Sequence, residues 1–456
     1  MIYKFWKKMK KAFFWAFAAL FLVSMALVSC SKDDDKPLAA NETDHNETDY
    51  TVIIYGTSGG SMDYTVEEVW RELRTHLTDQ RVRVVCAYKY GKGGEEFTGT
   101  YANAGDVVYF ELTKDTRFED LRNYVIADSS YRLFSADNLT AVLNRAAQDA
   151  PAKKYVLVTY GHGNGFDPFS DYPRDSQQAK GVISDEWYDR EINMYELSQA
   201  IRQSNVQHLE CLMLHNCLMG GMESLMEVVP CAEYIMATPF MLTSEDNPLI
   251  PILVKNLRTK SDFESAARAT LDESAERLRY GYSQEGEPLQ NGCMELLKAS
   301  ALNDVCTTTG RLVDRLCGIY SSQHEAIDSA TCRVYRFFNM NPYFDLLDYA
   351  AKLAEATQDA ELQAIHTQLA ADFGRAILKQ VTVDLGACPA LPAYSLSVLL
   401  VNKEAYEDDF AVGTFTYRQA YEYSTFHQRT HWGNWLATNL QTPTGNPCGQ
   451  VIKLFF

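Results

Sequence analysis

The sequence lacks the features that identify nucleic-acid-binding and cysteine-clustered metal proteins. Its 42 lysines and arginines are outnumbered by 60 aspartates and glutamates, which gives a formal net charge of −18 at pH 7. Such a surface repels phosphate backbones and anionic lipids, so we expect no nucleic-acid partner. The 11 cysteines contain no CxxC pair and no metal-type spacing. No disulfide framework can be read from them, and most are expected to lie in the core.

One long apolar run is present, residues 12–28, and basic residues at positions 4–11 precede it. This order is typical of a secretory signal peptide. The run ends in Leu27-Val28-Ser29-Cys30, which resembles the lipobox of bacterial lipoproteins, and an acidic stretch follows Cys30 as in surface lipoproteins of Bacteroides type. We therefore expect a signal peptide over 1–29 and a flexible tether over 30–49. Lipidation of Cys30 is expected to anchor the protein to the bacterial envelope. The outer membrane and the cell surface are the candidate locations.

Short apolar runs alternate with helical patterns through the first half of the chain. Five runs have strand composition: Thr51–Tyr55, Val82–Tyr88, Tyr155–Tyr160, Cys211–Leu214 and Tyr234–Ala237. Strands alternating with helices predict an α/β fold with a doubly wound, mostly parallel sheet and helices on both faces. Further on, four stretches have helical patterns: 261–280, 292–319, 343–357 and 361–380. We expect a catalytic domain over 50–250 and an α-rich region over 251–456, in which closing strands at 393–401 and 412–417 pack on the sheet.

A histidine and a cysteine each follow a predicted parallel strand. His162 lies in GHGNG after one strand, and Cys217 follows another strand 55 residues later. Both side chains are expected at the carboxyl edge of one sheet, where active sites of open α/β sheets lie. Cysteine peptidases need such a pair, because the thiolate attacks the acyl carbon and the imidazole protonates the leaving amine. A helix that begins after Cys217 is expected to favour its thiolate.

Two alternatives assign the chemistry differently. Gly56–Gly60 fits G-x-S-x-G between a strand and a helix, which would make Ser58 the nucleophile of a serine hydrolase with His427 or His431. In that fold several strands come before the nucleophile, whereas here only one does. A zinc site built from His162, His215 and Cys217 is the second alternative, although no fourth ligand can be named.

Three segments together resemble the clostripain family of cysteine peptidases, whose fold is shared with caspases, gingipains and legumain. They are TVIIYGTSGGSMD, YVLVTYGHGNGF and HNCLMGGMESLMEVVPCAEYIMATP, and the resemblance extends from about Thr51 to Leu436. It implies a caspase-like sheet, Cys217 as nucleophile, His162 as catalytic histidine, and the backbone N–H groups of Gly163 and Cys217 as oxyanion donors. The implied activity is that of an endopeptidase which acts on peptides or proteins through an acyl-enzyme.

The resemblance also implies cleavage after arginine or lysine, by way of an aspartate two residues before the nucleophile. This chain has His215 at that position, with Glu245 or Asp246 as other candidate acids. Some members cut themselves between the histidine and the cysteine. Here loop 167–191 is expected to be exposed and contains Arg174 and Lys180. Calcium dependence also occurs in the family, but no calcium-loop pattern is present and no cofactor is expected. A further alternative is an inactive surface lipoprotein that binds a peptide or a protein partner.

Overall fold

A computed structural model describes residues 48–57, 62–93, 98–166, 181–188, 190–240, 242, 249–280, 292–337, 343–383, 396–407 and 417–438. The expected signal peptide, Cys30 and the tether up to residue 47 lie outside these ranges, so the expectations about them stay predictions. Within the described ranges, no helix is both long enough and apolar enough to cross a membrane.

Within the described ranges, nine strands form the central sheet, in the order β12-β10-β9-β8-β5-β1-β2-β3-β4. The five middle strands are parallel, and the strands at both edges are antiparallel. The strands of this sheet are β1 (Tyr50–Thr57), β2 (Val82–Lys89), β3 (Val107–Leu112), β4 (Val125–Ala127), β5 (Lys154–Tyr160), β8 (Leu209–His215), β9 (Ala232–Ala237), β10 (Gly292–Lys298) and β12 (Ile377–Val383). Two small antiparallel sheets pair β6 (Gly181–Asp185) with β7 (Arg190–Asn193) and β11 (Tyr343–Asp345) with β13 (Ser397–Leu399).

Helices cover both faces of the sheet. They are α1 (Met62–His76), α2 (Ala136–Asp149), α3 (Met194–Gln203), α4 (Met222–Val228), α5 (Leu249–Thr259), α6 (Phe263–Tyr280), α7 (Leu302–Thr331), α8 (Leu346–Thr357), α9 (Ala360–Ala376), α10 (Lys403–Glu407), α11 (Tyr417–Tyr423), α12 (Thr425–Thr430) and α13 (Trp432–Leu436). Short 3-10 helices span Phe118–Tyr124, Val229–Cys231 and Ala299–Ala301.

The middle strands are mostly apolar because both of their faces are buried. In β1, Val52 and Ile54 belong to the core beneath α1, α5 and α6, while Ile53 and Tyr55 belong to the core on the opposite face. A continuous apolar run is what a parallel strand covered on both faces requires. The predicted doubly wound, mostly parallel sheet is confirmed.

The second half of the chain contributes more strands than we expected. Residues 292–298 form β10 and residues 377–383 form β12, although 292–298 and 377–380 were predicted as helix. β12 is the edge strand of the main sheet and β10 lies between it and β9, and pairing with these neighbours overrides local helical periodicity. Ser397–Leu399 is a strand as predicted, but it pairs with β11 instead of the main sheet. Tyr417 begins a helix, and residues 412–416 lie outside the described part of the chain. The domain boundary at residue 250 stays a prediction.

Candidate active site

Strand register brings His162 and Cys217 to the same place on the sheet edge. β5 and β8 are parallel neighbours, and Tyr160, the last residue of β5, pairs with His215, the last residue of β8. His162 and Cys217 each follow two residues later, so the two chains leave the sheet side by side. The side chain of His162 is exposed and that of Cys217 is partly buried. The prediction that both residues lie at the carboxyl edge of one parallel sheet agrees with this register.

Asn216 holds the two strand ends together. Its side chain is 1% exposed, and its Nδ2 donates to the carbonyl oxygens of Gly161 at 2.8 Å and His162 at 3.2 Å. Its Oδ1 accepts from the Thr159 hydroxyl at 2.5 Å. The Asn216 side chain thus links the residue before Cys217 to the carbonyl groups of Gly161 and His162. Sequence reasoning missed this residue, although a polar side chain immediately before the cysteine, at the end of an apolar strand, was an available signal.

The glycines beside His162 permit close approach of the backbone. A Cβ at Gly163 would lie 2.6 Å from Cβ of Asn216 and 2.7 Å from the carbonyl oxygen of Cys217. A Cβ at Gly161 would lie 2.8 Å from the carbonyl oxygen of Thr57, and Gly161 has a φ of 138°. Because real Cβ atoms do not approach other atoms so closely, both positions require glycine. The GHG segment packs directly against the backbone of Asn216 and Cys217.

A second set of contacts fixes the cysteine loop from the side of β9. The N–H of Leu218 donates to the carbonyl oxygen of Phe240 at 2.9 Å, and that of Gly220 donates to Thr238 at 2.6 Å. Leu218 has a φ of 61°, in the left-handed region that leucine rarely adopts. Such a conformation is unfavourable by roughly 1–3 kcal/mol and persists only where surrounding contacts enforce it. The residue that follows Cys217 is therefore held in one conformation.

The thiol of Cys217 lies against the main chain of Leu242. The Leu242 N–H donates to Sγ at 3.3 Å, and Sγ lies 3.6 Å from the Leu242 carbonyl oxygen. Burial raises the pKa of Cys217, and the hydrogen bond from Leu242 offsets this only in part. The expectation that the following helix favours the thiolate is therefore wrong: α4 begins at Met222, five residues further on, and desolvation dominates at the sulfur.

His215 is enclosed on the opposite face of the sheet edge. It is 3% exposed and its ring stacks on that of Tyr160, with centroids 5.3 Å apart and planes 8° apart. Its Nε2 has no hydrogen-bond partner within the described ranges. Burial lowers the pKa of His215 to about 4, so the ring is neutral at pH 7. The position where the family resemblance implies a carboxylate therefore has an uncharged imidazole.

Part of the segment between His162 and Cys217 forms a hairpin that the sequence did not indicate. Residues 181–188 and 190–193 belong to the β6–β7 hairpin, in which Val182 and Ile183 are buried. The expectation of an exposed loop over 167–191 is wrong for this part, because two apolar side chains anchor it in the core. The N–H of Ile183 donates to the carbonyl oxygen of His162 at 3.2 Å, and Gly163 forms an isolated bridge with Val182. The hairpin thus pairs directly with the GHG segment.

Residues from the second half of the chain form hydrogen bonds with the loops that carry His162 and Cys217. The Tyr343 hydroxyl in β11 donates to the carbonyl oxygen of Asn164 at 2.6 Å, and the Ser397 N–H in β13 donates to Gly220 at 3.0 Å. Glu223, at the start of α4, accepts from the Leu399 N–H at 2.9 Å and from the Tyr421 hydroxyl at 2.6 Å. Burial raises the pKa of Glu223 to about 7. The histidine loop and the cysteine loop are thus both attached to the C-terminal region.

The structure does not describe several of the other candidate residues from the sequence. Ser58, Arg174, Lys180, Glu245 and Asp246 lie outside the described residues. Within the part of the chain that is described, no group of three or more His, Cys, Asp or Glu side chains could hold a metal ion, so His162, His215 and Cys217 do not form the suggested zinc site. The eight described cysteines are all free, and five of them other than Cys217 are buried, as expected for core residues.

Comparison with known proteins gives the family and the fold. A sequence model of the clostripain family matches residues 104–433. The chain resembles a secreted C11 cysteine protease from Bacteroides thetaiotaomicron, solved in complex with an irreversible peptide inhibitor, with a TM-score of 0.61, 14% identity, and coverage of 85% of this chain and 99% of that one. An inactive zymogen C11 protease from Parabacteroides distasonis gives a TM-score of 0.58, 14% identity, and coverage of 84% and 98%.

No similar sequence was found among curated proteins. At 14% identity the two structures show the fold alone, and they confirm the caspase-like architecture expected from the sequence. The family match is broader evidence, because it extends over well more than half of the chain. The chain therefore belongs to the clostripain family and is a cysteine-type peptidase.

Proposed function

We propose that this protein is an endopeptidase in which Cys217 is the nucleophile and His162 is the general acid and base. The observation that carries the proposal is the register of β5 and β8. It brings the two residues to adjacent strand ends, with the GHG backbone packed on that of Cys217. Family membership makes the reaction class that of a cysteine peptidase, and the register supports the assignment of these two residues to it.

The reaction follows from these positions. His162 accepts the thiol proton of Cys217, and the thiolate attacks the scissile carbonyl carbon. The backbone N–H groups of Gly163 and Cys217 donate to the oxyanion of the tetrahedral intermediate. That intermediate collapses, the C–N bond breaks, and the imidazolium of His162 protonates the leaving amine. Water then gives a proton to His162 and attacks the acyl-enzyme, which releases the carboxylate product and restores the thiol.

The raised pKa of Cys217 sets a condition on this scheme. In the structure described here, burial favours the neutral thiol over the thiolate. An ion pair of thiolate and imidazolium is favoured only when the two side chains meet, because each charge then stabilises the other. We expect the proton to move to His162 as substrate binds, so that alkylation of Cys217 depends on His162.

The residue preference at P1 is a separate part of the proposal. A neutral, buried His215 supplies no fixed negative charge to a bound arginine or lysine. If basic residues are selected, the charge must come from other carboxylates, for which Glu245 and Asp246 are the candidates. We expect weaker discrimination in favour of basic over neutral P1 residues than a buried aspartate at position 215 would give.

One experiment distinguishes a cysteine peptidase from a serine hydrolase and from an inactive lipoprotein. A peptide library that varies P1 is incubated with the wild type, with Cys217→Ala and with Ser58→Ala. We expect cleavage by the wild type and by Ser58→Ala, and none by Cys217→Ala. Loss of activity in Ser58→Ala alone would favour the serine hydrolase. Absence of turnover by the wild type with every P1 residue would favour an inactive surface lipoprotein that binds a peptide or partner.

A further inference from the structure

Lys89 and Asp185 form a buried ion pair directly behind the histidine loop. Lys89 is the last residue of β2 and Asp185 is the last residue of β6, and both side chains are 0% exposed. The Lys89 Nζ lies 3.0 Å and 2.9 Å from the two carboxylate oxygens of Asp185. The pair therefore ties the end of the β6–β7 hairpin to the carboxyl edge of the main sheet.

The other hydrogen bonds that the structure gives for this pair are to main-chain groups on neighbouring segments, and Nζ of Lys89 also lies 4.9 Å from the centre of the Tyr188 ring. Nζ of Lys89 also donates to the carbonyl oxygens of Ser129 at 3.0 Å and Tyr131 at 2.7 Å. The carboxylate of Asp185 accepts from the N–H groups of Leu133 at 3.3 Å and Trp187 at 3.2 Å. Three segments meet at the two charges: the end of β2, the loop before α2, and the turn of the hairpin.

The hairpin in turn fixes the main chain of His162. Ile183, two residues before Asp185, donates its N–H to the His162 carbonyl oxygen at 3.2 Å. Ile183 has a φ of 63° and lies at the register shift between β6 and β7. A β-branched residue in the left-handed region is a conformational outlier, which persists only where neighbouring contacts enforce it. On the C-terminal side of Ile183, Ser184 pairs with Glu191 in the ladder and Asp185 is held by Lys89.

Stability alone does not account for a pair of buried charges. Burial lowers the pKa of Lys89 and raises that of Asp185, so their mutual attraction does not fully offset the loss of hydration. Apolar residues of similar volume often stabilise such a site equally well or better. What apolar residues cannot supply is a set of directional bonds to four main-chain groups.

We propose that the Lys89–Asp185 pair is a positioning unit for His162: it holds the β6–β7 hairpin so that the Ile183 N–H fixes the histidine loop beside Cys217. Neither residue touches the reacting atoms. The inference rests on the proposed catalytic role of His162, and it adds two residues that are 96 positions apart in the chain.

The main test uses the double variant Lys89→Met/Asp185→Asn, which removes both charges and nearly preserves volume. We expect a folded protein whose kcat is about ten- to a hundredfold lower while KM changes less than twofold, because misplacement of a catalytic group affects the transition state. The matched control is Lys255→Met, which breaks an exposed pair with Glu273 between α5 and α6 and should leave kcat unchanged.

Hydrogen–deuterium exchange supplies a readout that needs no activity. We expect the double variant to exchange faster than the wild type in 161–166 and 181–188, with no change in β8. If the double variant fails to fold, a second variant that removes both charges, Lys89→Gln/Asp185→Asn, is measured in the same way, because Asp185→Asn alone would leave an unpaired buried charge. An unchanged kcat together with unchanged exchange in a folded variant would overturn the inference. If only the Cys217→Ala test fails, the proposed function is wrong, and the exchange result still decides whether the pair holds the loop.

Discussion

Replacing Asn216 tests whether one buried amide joins the histidine loop to the cysteine strand. Asn216→Ala removes the hydrogen bonds to Gly161, His162 and Thr159. Each contributes roughly 1 kcal/mol, and a buried carbonyl left without a partner adds a further penalty of about 1–3 kcal/mol. The His162 carbonyl keeps the N–H of Ile183, so the penalty falls mainly on Gly161. We expect a loss of about 4–6 kcal/mol in the free energy of unfolding.

Asn216→Asp should be worse at pH 8, because a carboxylate would face two carbonyl oxygens in place of the amide donor. Urea titration measures the unfolding free energies, and kcat/KM for a cleaved peptide should fall more than tenfold in both variants. The control is Asn138→Ala, which removes one hydrogen bond, to the Arg132 carbonyl oxygen at 2.8 Å near the surface. The reasoning is refuted if Asn216→Ala loses no more stability than Asn138→Ala.

Three further predictions concern other parts of the chain. Burial raises the pKa of Glu223 to about 7, so the native state keeps this proton to higher pH than the unfolded chain. The free energy of unfolding should therefore fall by about 3 kcal/mol between pH 5 and 8 relative to that of Glu223→Gln. A difference between the two proteins that does not vary with pH would contradict this. Gly163→Ala should abolish most activity because its Cβ would clash with Asn216, whereas Gly318→Ala in α7, with open space around it, should retain activity and raise stability by about 0.5–1 kcal/mol; equal kcat in the two variants would count against the packing argument. Cys30→Ala should move the protein from the membrane fraction to the soluble fraction, and an unchanged distribution would argue against a lipid anchor at Cys30.

The position of His162 and Cys217 at one sheet edge was predictable because the signals for it are local. Each of His162 and Cys217 follows an apolar run, and the carboxyl ends of parallel strands meet at one edge of a sheet. The positions of β10 and β12 were not predictable in this way. Residues 377–383 follow α9 directly, and their strand conformation depends on pairing with β10, far away in the chain. The Lys89–Asp185 pair likewise has no local signal, because only the fold brings its members together.

The role of His215 shows the limit of reasoning from a single position. The sequence showed that it replaces the expected carboxylate, but not that its ring would stack on Tyr160 with an unpartnered Nε2. That neighbourhood is created by the register of β5 and β8, which pairs the two residues directly. The missing charge was visible in the sequence, whereas the neutral state of the ring follows from burial that only the fold provides.

The most direct test of the central claim is site-resolved labelling by a peptidyl chloromethyl ketone. The wild type and His162→Ala are treated, digested, and analysed by mass spectrometry, with the exposed Cys317 as an internal control for general thiol reactivity. If Cys217 and His162 act together, the adduct forms on Cys217 much faster than on Cys317 in the wild type, and this advantage is lost in His162→Ala. Equal labelling of Cys217 in the two proteins, or an adduct on another residue that abolishes cleavage, would contradict the account.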